Sequence, residues 1–147
     1  MEYCHCGSVA SYVRKGNRLN EEELREIASC CLLGLNYLHK KNIIHRVSVS
    51  TRTDGKDIKP DNLLISESGV IKVGDFGLAV QLEHSCSNRN TVCGTSWYMG
   101  PEVYAGQCVL KSDVWSLGMS MIEIAEGRHP FAGMNSFQVA VIDLIDS

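Results

Sequence analysis

Four side chains that could act together on a phosphate lie in the middle of this sequence. Asp57, Lys59 and Asn62 fall within one short polar stretch, and Asp75 follows after a brief apolar segment. Asparagine and aspartate supply the hard oxygen ligands that suit Mg²⁺, and lysine can offset the charge of a phosphoryl group. Each of these residues alone would most simply be a solvated loop residue. For the whole set that explanation is improbable, and the residue types suit the positioning and charge neutralisation that phosphoryl transfer requires.

A small β-hairpin is the element that should bring the two ends of this set together. Leu63, Leu64 and Ile65 form a short apolar run, residues 66–69 suit a turn, and residues 70–73 suit a second strand. Because Asn62 precedes the first strand and Asp75 follows the second, the hairpin would place them side by side.

A long amphipathic helix is predicted from about Glu21 to Lys41. Asn20 can cap it and Glu23 stands three residues later, as in a capping box. Its apolar residues recur at steps of three and four, which is the period of a helix with one buried face. They are Leu24, Ile27, Ala28, Cys31, Leu32, Leu35 and Leu38.

A second helix is predicted to start at Ser112 or Asp113 and to end before Gly127. Its apolar residues occupy nearly every face, so we expect a central, buried helix. Shorter helices are predicted at residues 8–15 and 136–145.

Composition limits the classes of partner. The formal net charge of -3 shows no basic excess, so we expect neither nucleic acid nor a membrane surface as a partner. The N-terminus lacks the features of a signal peptide, and no apolar run could span a bilayer, so we expect a cytoplasmic protein. Seven cysteines, with no C-x-x-C pair, indicate reduced thiols rather than a disulfide framework or a zinc site.

Three motifs in order resemble the protein kinase family. They are His45-Arg46 with Asp57-Ile58-Lys59-Pro60-Asp61-Asn62, then Asp75-Phe76-Gly77, then Gly100-Pro101-Glu102. The resemblance implies an α+β fold: the mostly helical C-terminal lobe of a protein kinase, with a small β-hairpin, over residues 1–147. Since Met1 looks like the residue that gates the adenine pocket, we expect the N-lobe to be absent and this chain alone to be inactive.

The resemblance implies a role for each polar side chain of the set. Asp57 would accept the proton of the substrate hydroxyl, and Lys59 would offset the charge of the transferred phosphate. Asn62 and Asp75 would bind Mg²⁺ and, with Lys59, the phosphates of ATP. ATP and Mg²⁺ are thus the implied cofactors.

The same resemblance implies a binding site for the nucleoside and a regulatory switch. Glu2 and Cys4 would bond the adenine through their backbones, with Ser8 near the ribose. Thr91, in a polar stretch from Gln81 to Thr95 that suits a loop, would be the phosphorylation site of the activation segment.

An upstream kinase or trans-autophosphorylation would modify Thr91, and its phosphate would pair with Arg46. Thr95 would line the site for a protein substrate. In the family, this glutamate normally pairs with an arginine in the last helices of the lobe. Because this sequence ends before those helices, we expect Glu102 to be left as a lone buried charge. Asp113 would anchor the catalytic loop through backbone amides.

Several residues narrow the group within the family. Lys59 follows the serine/threonine pattern, and Leu78 favours serine as the acceptor. The stretches around Met1-Glu2-Tyr3-Cys4 and Arg89-Asn90-Thr91-Val92-Cys93-Gly94-Thr95 resemble the sterile-twenty-like kinases, especially their Hippo-type branch. Gly100 and Ser96-Trp97-Tyr98 depart from the family pattern and are expected to soften the substrate-docking loop.

Ten residues, Val47 to Lys56, interrupt the catalytic loop where the family has none. They could be a tolerated loop, whose closure entropy is only about 2 kcal/mol. They could instead be translated intron, because Val47-Ser48 can be encoded as GTGAGT, which suits a splice donor, and Lys56 as AAG, which ends like an acceptor. Their removal restores an uninterrupted motif in frame.

The alternative to an enzyme is a degenerate, pseudokinase-like binding module, although the retained catalytic side chains favour ancestry in an active kinase.

Overall fold

The described part of the chain combines helices with two small sheets. The computed structural model describes residues 4, 6–45, 58–74, 80–81, 96–105, 107, 109–135 and 138–139. The helices are α1 (Val9–Arg14), α2 (Glu21–His39), α3 (Pro101–Tyr104) and α4 (Leu110–Glu126). The strands are β1 (Ile43–Ile44), β2 (Leu63–Ile65), β3 (Ile71–Val73) and β4 (Val80–Gln81), and short 3-10 turns lie at Pro60–Asn62 and Ser96–Tyr98.

Helix α2 confirms the predicted capping box. The Asn20 side chain accepts the Glu23 backbone N–H at 2.9 Å, and the Glu23 carboxylate accepts the Asn20 N–H at 2.8 Å. The helix ends at His39, two residues before the predicted end. The chain then turns through Asn42, which has a φ of 54°, and enters β1.

Helix α4 begins earlier than predicted and is less enclosed. Its first residue is Leu110, and Ser112 lies in the first turn, where its hydroxyl accepts the Val109 backbone N–H at 3.2 Å. Gly127, with a φ of 72°, ends the helix as predicted. One face is buried, whereas Val114, Trp115 and Ile122 are exposed, so the prediction of a central, buried helix holds for that face only.

The two sheets each contain two antiparallel strands. The predicted hairpin pairs β2 with β3, in the register Leu63 with Val73 and Ile65 with Ile71. A second sheet, which the sequence did not indicate, pairs β1 with β4. It joins the segment before His45 to the segment that follows residues 75–79.

The core lies between α2, α4 and the hairpin. The Cys31 thiol is fully buried, and this burial raises its pKa to about 12, so it packs as a small apolar side chain.

Among the described residues no helix is long and apolar enough to cross a membrane. The predicted loop at 81–95 and the predicted helix at 136–145 lie almost entirely outside the described residues. The largest fully packed apolar residues include Leu35, Ile44, Ile58 and Leu63.

Candidate active site

The hairpin places Asn62 directly beside the residue that precedes Asp75. The Gly74 backbone N–H donates to the Asn62 carbonyl at 2.7 Å, which continues the ladder of β2 and β3 by one step. Asn62 is half-buried at this end of the hairpin. Asp75 itself lies outside the described residues, but it is the next residue along the chain.

Gly74 is closely packed, and a larger residue there requires its neighbours to move. A Cβ atom at this position would lie 2.9 Å from Leu64 Cδ1 and 3.3 Å from the Asn62 carbonyl oxygen. The absence of a side chain therefore allows the two ends of the hairpin to meet at hydrogen-bonding distance.

Replacing Gly74 with alanine should destabilise the chain by about 1–3 kcal/mol, because Leu64 or the Asn62 backbone must move. Urea unfolding followed by circular dichroism measures this. Gly118→Ala, on the exposed side of α4, is the matched control, since nothing lies within 4 Å of a Cβ there and its φ is not positive. If Gly74→Ala is no more destabilising than Gly118→Ala, the close packing is unimportant.

Lys59 and Asn62 are held together by the 3-10 turn. The Asn62 backbone N–H donates to the Lys59 carbonyl at 2.8 Å, and Pro60 is buried at the start of the turn. Between them, the Asp61 carboxylate accepts two hydrogen bonds from the Arg14 guanidinium, with N···O distances of 2.7 and 3.0 Å. This hydrogen-bonded contact with Asp61 raises the pKa of Arg14. Arg14 ends α1, so the ion pair fastens α1 to the turn.

The segment that leads from the N-terminus into α1 is attached to the same hairpin. The Ile65 backbone N–H donates to the Gly7 carbonyl at 2.9 Å, and Ser8 bridges to Leu64. Ser8 also caps α1, in a reciprocal arrangement with Ser11. The Cys4 carbonyl accepts the Gly7 N–H at 3.3 Å. Ser8 thus lies beside β2 on the neighbouring segment, and Asn62 immediately precedes β2 in the sequence.

His45 joins the start of the catalytic loop to the segment that carries Gly74. Its side chain is fully buried, and its Nε2 lies 3.0 Å from the Gly74 carbonyl oxygen. Its backbone N–H donates to Asp113 Oδ2 at 3.0 Å, and His39 Nε2 lies 2.9 Å from the same oxygen. Asp113 is fully buried and binds a backbone amide of the loop, as the resemblance implied.

Three buried serines of α4, spaced four residues apart, reach three segments of the site. We call Ser112, Ser116 and Ser120 the serine row. The Ser120 hydroxyl lies 2.7 Å from the Ile58 carbonyl, and the Ser116 hydroxyl lies 2.7 Å from the Tyr98 carbonyl. The Ser112 hydroxyl donates to the Glu102 carboxylate at 2.5 Å. A four-residue spacing keeps the three hydroxyls on one face of the helix.

Glu102 does not have the predicted environment. Its carboxylate is half-buried rather than buried, and it accepts the Ser112 hydroxyl. It also folds back over Gly100, where a Cβ would lie 2.5 Å from Glu102 Oε2. The expectation of a lone buried charge is wrong, because the carboxylate turns towards the first turn of α4. Gly100, which has no Cβ, leaves room for that turn.

The aromatic residues before Gly100 are also better fixed than predicted. The Trp97 indole N–H donates to the Met134 carbonyl at 3.0 Å, and the Tyr98 hydroxyl donates to the Glu123 carboxylate. The departure from the family pattern therefore does not soften residues 97 and 98, since the polar group of each ring has a partner.

The remaining predicted site residues lie outside the described part of the chain. They are Glu2, Arg46, Asp57, Asp75, Thr91 and Thr95, together with the insertion. The contacts made by Arg14, His45 and the serine row were not predicted from the sequence. The serine row had a visible signal, namely serines at a helical spacing on an otherwise apolar helix.

A cavity of about 240 Å³ lies elsewhere, between α1, α2 and the turn of the hairpin. Gly69 and Ile71 line it, so it lies towards the opposite end of the hairpin from Asn62. It is therefore distinct from the place where Asn62 and Gly74 meet.

Residues 1–146 match the family model of the protein kinase domain. The match covers almost the whole chain, so the chain belongs to the protein kinase family. Members of this family are transferases that generally use ATP and Mg²⁺ to phosphorylate proteins. The ordered motifs, with His45, Asn62 and Gly74 joined by hydrogen bonds, lie within the matched residues.

Proposed function

We propose that this chain is the C-terminal lobe of a serine/threonine kinase of the sterile-twenty-like group, in its Hippo-type branch, acting in the cytoplasm. The observation that carries this proposal is the hydrogen bond between Gly74 and Asn62. It fixes one proposed Mg²⁺ ligand beside the residue that leads into the other, Asp75. Lys59, two residues after Asp57, matches the motif of kinases that act on serine and threonine.

The residues of the chain divide the task between binding and proton transfer. Asn62 and Asp75 would hold Mg²⁺, which would supply neutralisation of the phosphate charge. Lys59, whose carbonyl is bonded to the Asn62 backbone N–H, would offset charge on the transferred group. Asp57 orients the acceptor hydroxyl and takes its proton. Cys4, whose carbonyl is occupied by Gly7, offers its backbone N–H to the adenine.

The remaining assignments concern the ribose, the substrate and regulation. Ser8, which is held against β2, would lie near the ribose of a bound nucleotide. Thr95 faces a protein substrate that offers a serine or threonine hydroxyl. Phosphorylated Thr91 pairs with Arg46, because a guanidinium binds phosphate through two parallel hydrogen bonds.

Nucleotide binding by the 147-residue chain tests the site directly. Isothermal titration with ATP should show tighter binding with Mg²⁺ than without it. Asn62→Ala should weaken the Mg²⁺-dependent binding on the order of tenfold or more, because a metal ligand is lost. Asn36→Ala, an exposed asparagine on α2, is the matched control and should bind as the unmodified chain does.

Transfer activity is tested in a chimera, with the N-lobe of a related protein kinase joined ahead of Met1. It should phosphorylate serine peptides in preference to threonine peptides, and Asp57→Ala should abolish transfer. Mg²⁺-independent binding, unchanged in Asn62→Ala, together with an inactive chimera would instead support the pseudokinase-like binding module.

A further inference from the structure

His129 is a buried titratable side chain to which the proposed chemistry gives no role. It follows α4 and is only 3% exposed. Its ring stacks on Trp97, with centroids 5.2 Å apart and planes at 26°, and meets Tyr98 edge-on at 4.8 Å. Phe131 closes the group at 5.7 Å. We call these four side chains the aromatic cluster.

The hydrogen bonding of His129 defines its tautomer. Nδ1 accepts the Phe131 backbone N–H at 3.1 Å, so this nitrogen carries no proton. The proton of the neutral ring is therefore on Nε2, which is buried. Adding a second proton would place it on Nδ1 and expel the Phe131 N–H. The contacts as they stand require the neutral ring.

The aromatic cluster fixes the short segment that follows Thr95. Trp97 is held by His129 on its face and by the Met134 carbonyl on its indole N–H. Tyr98 is held by His129, by Glu123 through its hydroxyl and by Ser116 through its carbonyl. His129 is the one member of the cluster that contacts the other three rings.

We infer that His129 is a positioning residue for the substrate-docking segment: its neutral ring fixes Trp97 and Tyr98, and thereby the place where residues beside the acceptor hydroxyl bind. This inference rests on the proposed kinase function. His129 itself does not touch the reacting atoms. A displacement of the segment should change the KM for a peptide and leave kcat nearly unchanged.

The state of the ring should depend on pH. Burial lowers the pKa of His129 below 6.5, and the Trp97 backbone offsets part of this effect. The folded chain then binds fewer protons at this site than the unfolded chain, so the site's contribution to stability is lost as pH falls below about 6.5. The neighbouring charged groups are the Glu123 carboxylate, reached through Tyr98, and the adjacent, exposed Arg128. Phe131 and Met134 contribute no charge.

Two variants separate the ring from its hydrogen bond. His129→Phe keeps an aromatic ring without the Nδ1 acceptor, and His129→Asn keeps an acceptor without the ring. In the chimera each should raise the KM for a peptide substrate roughly two- to tenfold, the range that the energy of an aromatic pair corresponds to, with kcat unchanged. The KM of the parent chimera should rise below pH 6.5, and that pH dependence should be absent in His129→Phe.

Tryptophan fluorescence of the 147-residue chain gives a readout that needs no activity. The chain has two tryptophans, so Trp115→Phe leaves Trp97 as the sole reporter. Its emission should change as the pH is lowered, with a midpoint below 6.5, and His129→Phe should remove that transition. Trp97→Phe, which leaves Trp115, should show no such transition.

An unchanged Trp97 titration in His129→Phe would overturn the inference, as would a fall in kcat at constant KM. An inactive parent chimera with the fluorescence transition intact would contradict the proposed function and leave the positioning of Trp97 by His129 in place.

Discussion

Replacing Asp113 with alanine is expected to lower the free energy of unfolding by about 3–5 kcal/mol. The carboxylate is fully buried and accepts the His45 backbone N–H at 3.0 Å, with His39 Nε2 at 2.9 Å from the same oxygen. Alanine removes the acceptor of both groups and leaves a cavity in its place. Since a domain is stable by roughly 5–15 kcal/mol in total, this single change should bring the chain close to unfolding at ordinary temperature.

Urea titration of the 147-residue chain, followed by far-ultraviolet circular dichroism, measures the loss for Asp113→Ala. Asp61→Ala is the matched control, because Asp61 is also an aspartate with a strong hydrogen-bonded partner. Its pair with Arg14 is largely exposed, with the side chains at 66% and 39%, so its loss should cost only about 0.2–1 kcal/mol. Equal losses in the two variants would show that Asp113 is not the anchor of this region.

Deleting Val47 to Lys56 in the chimera is expected to raise the rate of phosphoryl transfer on the order of a hundredfold, because a misplacement of about 1 Å at a reacting centre has an effect of that size. Both flanks of the interrupted loop are tied to α4. His45 is bound by Asp113, and Ile58 is bound by Ser120.

The spacing of these two anchors suits a direct connection. Asp113 and Ser120 are seven residues apart on α4, about 10.5 Å along its axis. Three extended residue steps, from His45 through Arg46 and Asp57 to Ile58, span roughly 10–11 Å. The anchors therefore need no additional residues between Arg46 and Asp57.

A replacement of the same ten residues by a glycine-serine linker is the control for length, and it should remain as slow as the parent. A deletion variant that unfolds, or that is slower than the parent, would show that the insertion is an accommodated part of the fold. Sequencing the mature messenger RNA across codons 47–56 decides separately whether these residues are translated intron. Their presence in every transcript would end that hypothesis.

The sequence predicted the local elements well and the long-range contacts poorly. The capping box of α2, the hairpin and the glycine that ends α4 follow from side chains near in sequence, so periodicity and turn chemistry were sufficient to predict them. The start of α4 was misplaced because Ser112 resembles an N-cap but acts from within the first turn. The β1–β4 pair joins strands of only two residues, too short for any pattern to be recognised.

The candidate site shows the same division. The adjacency of Asn62 and Gly74 was predictable, because it needs only a hairpin of the right length. The turn of Glu102 towards Ser112 was not, because it depends on where α4 begins and on the space left by Gly100. Arg14 and Asp61 are likewise far apart in sequence, and either could have been solvated.

The serine row has a consequence for the order in which the chain can assemble during synthesis. Ile58 and Tyr98 are both made before the serines that hold them, and His45 is made before Asp113. While the ribosome is still upstream of Leu110, α2 and the hairpin have most of their own sequence available, but the catalytic loop has none of its attachments to α4. The residues of the site are therefore synthesised early, but the contacts that fix them form only after α4 has been synthesised. A nascent chain halted before α4 carries the catalytic motif without these attachments.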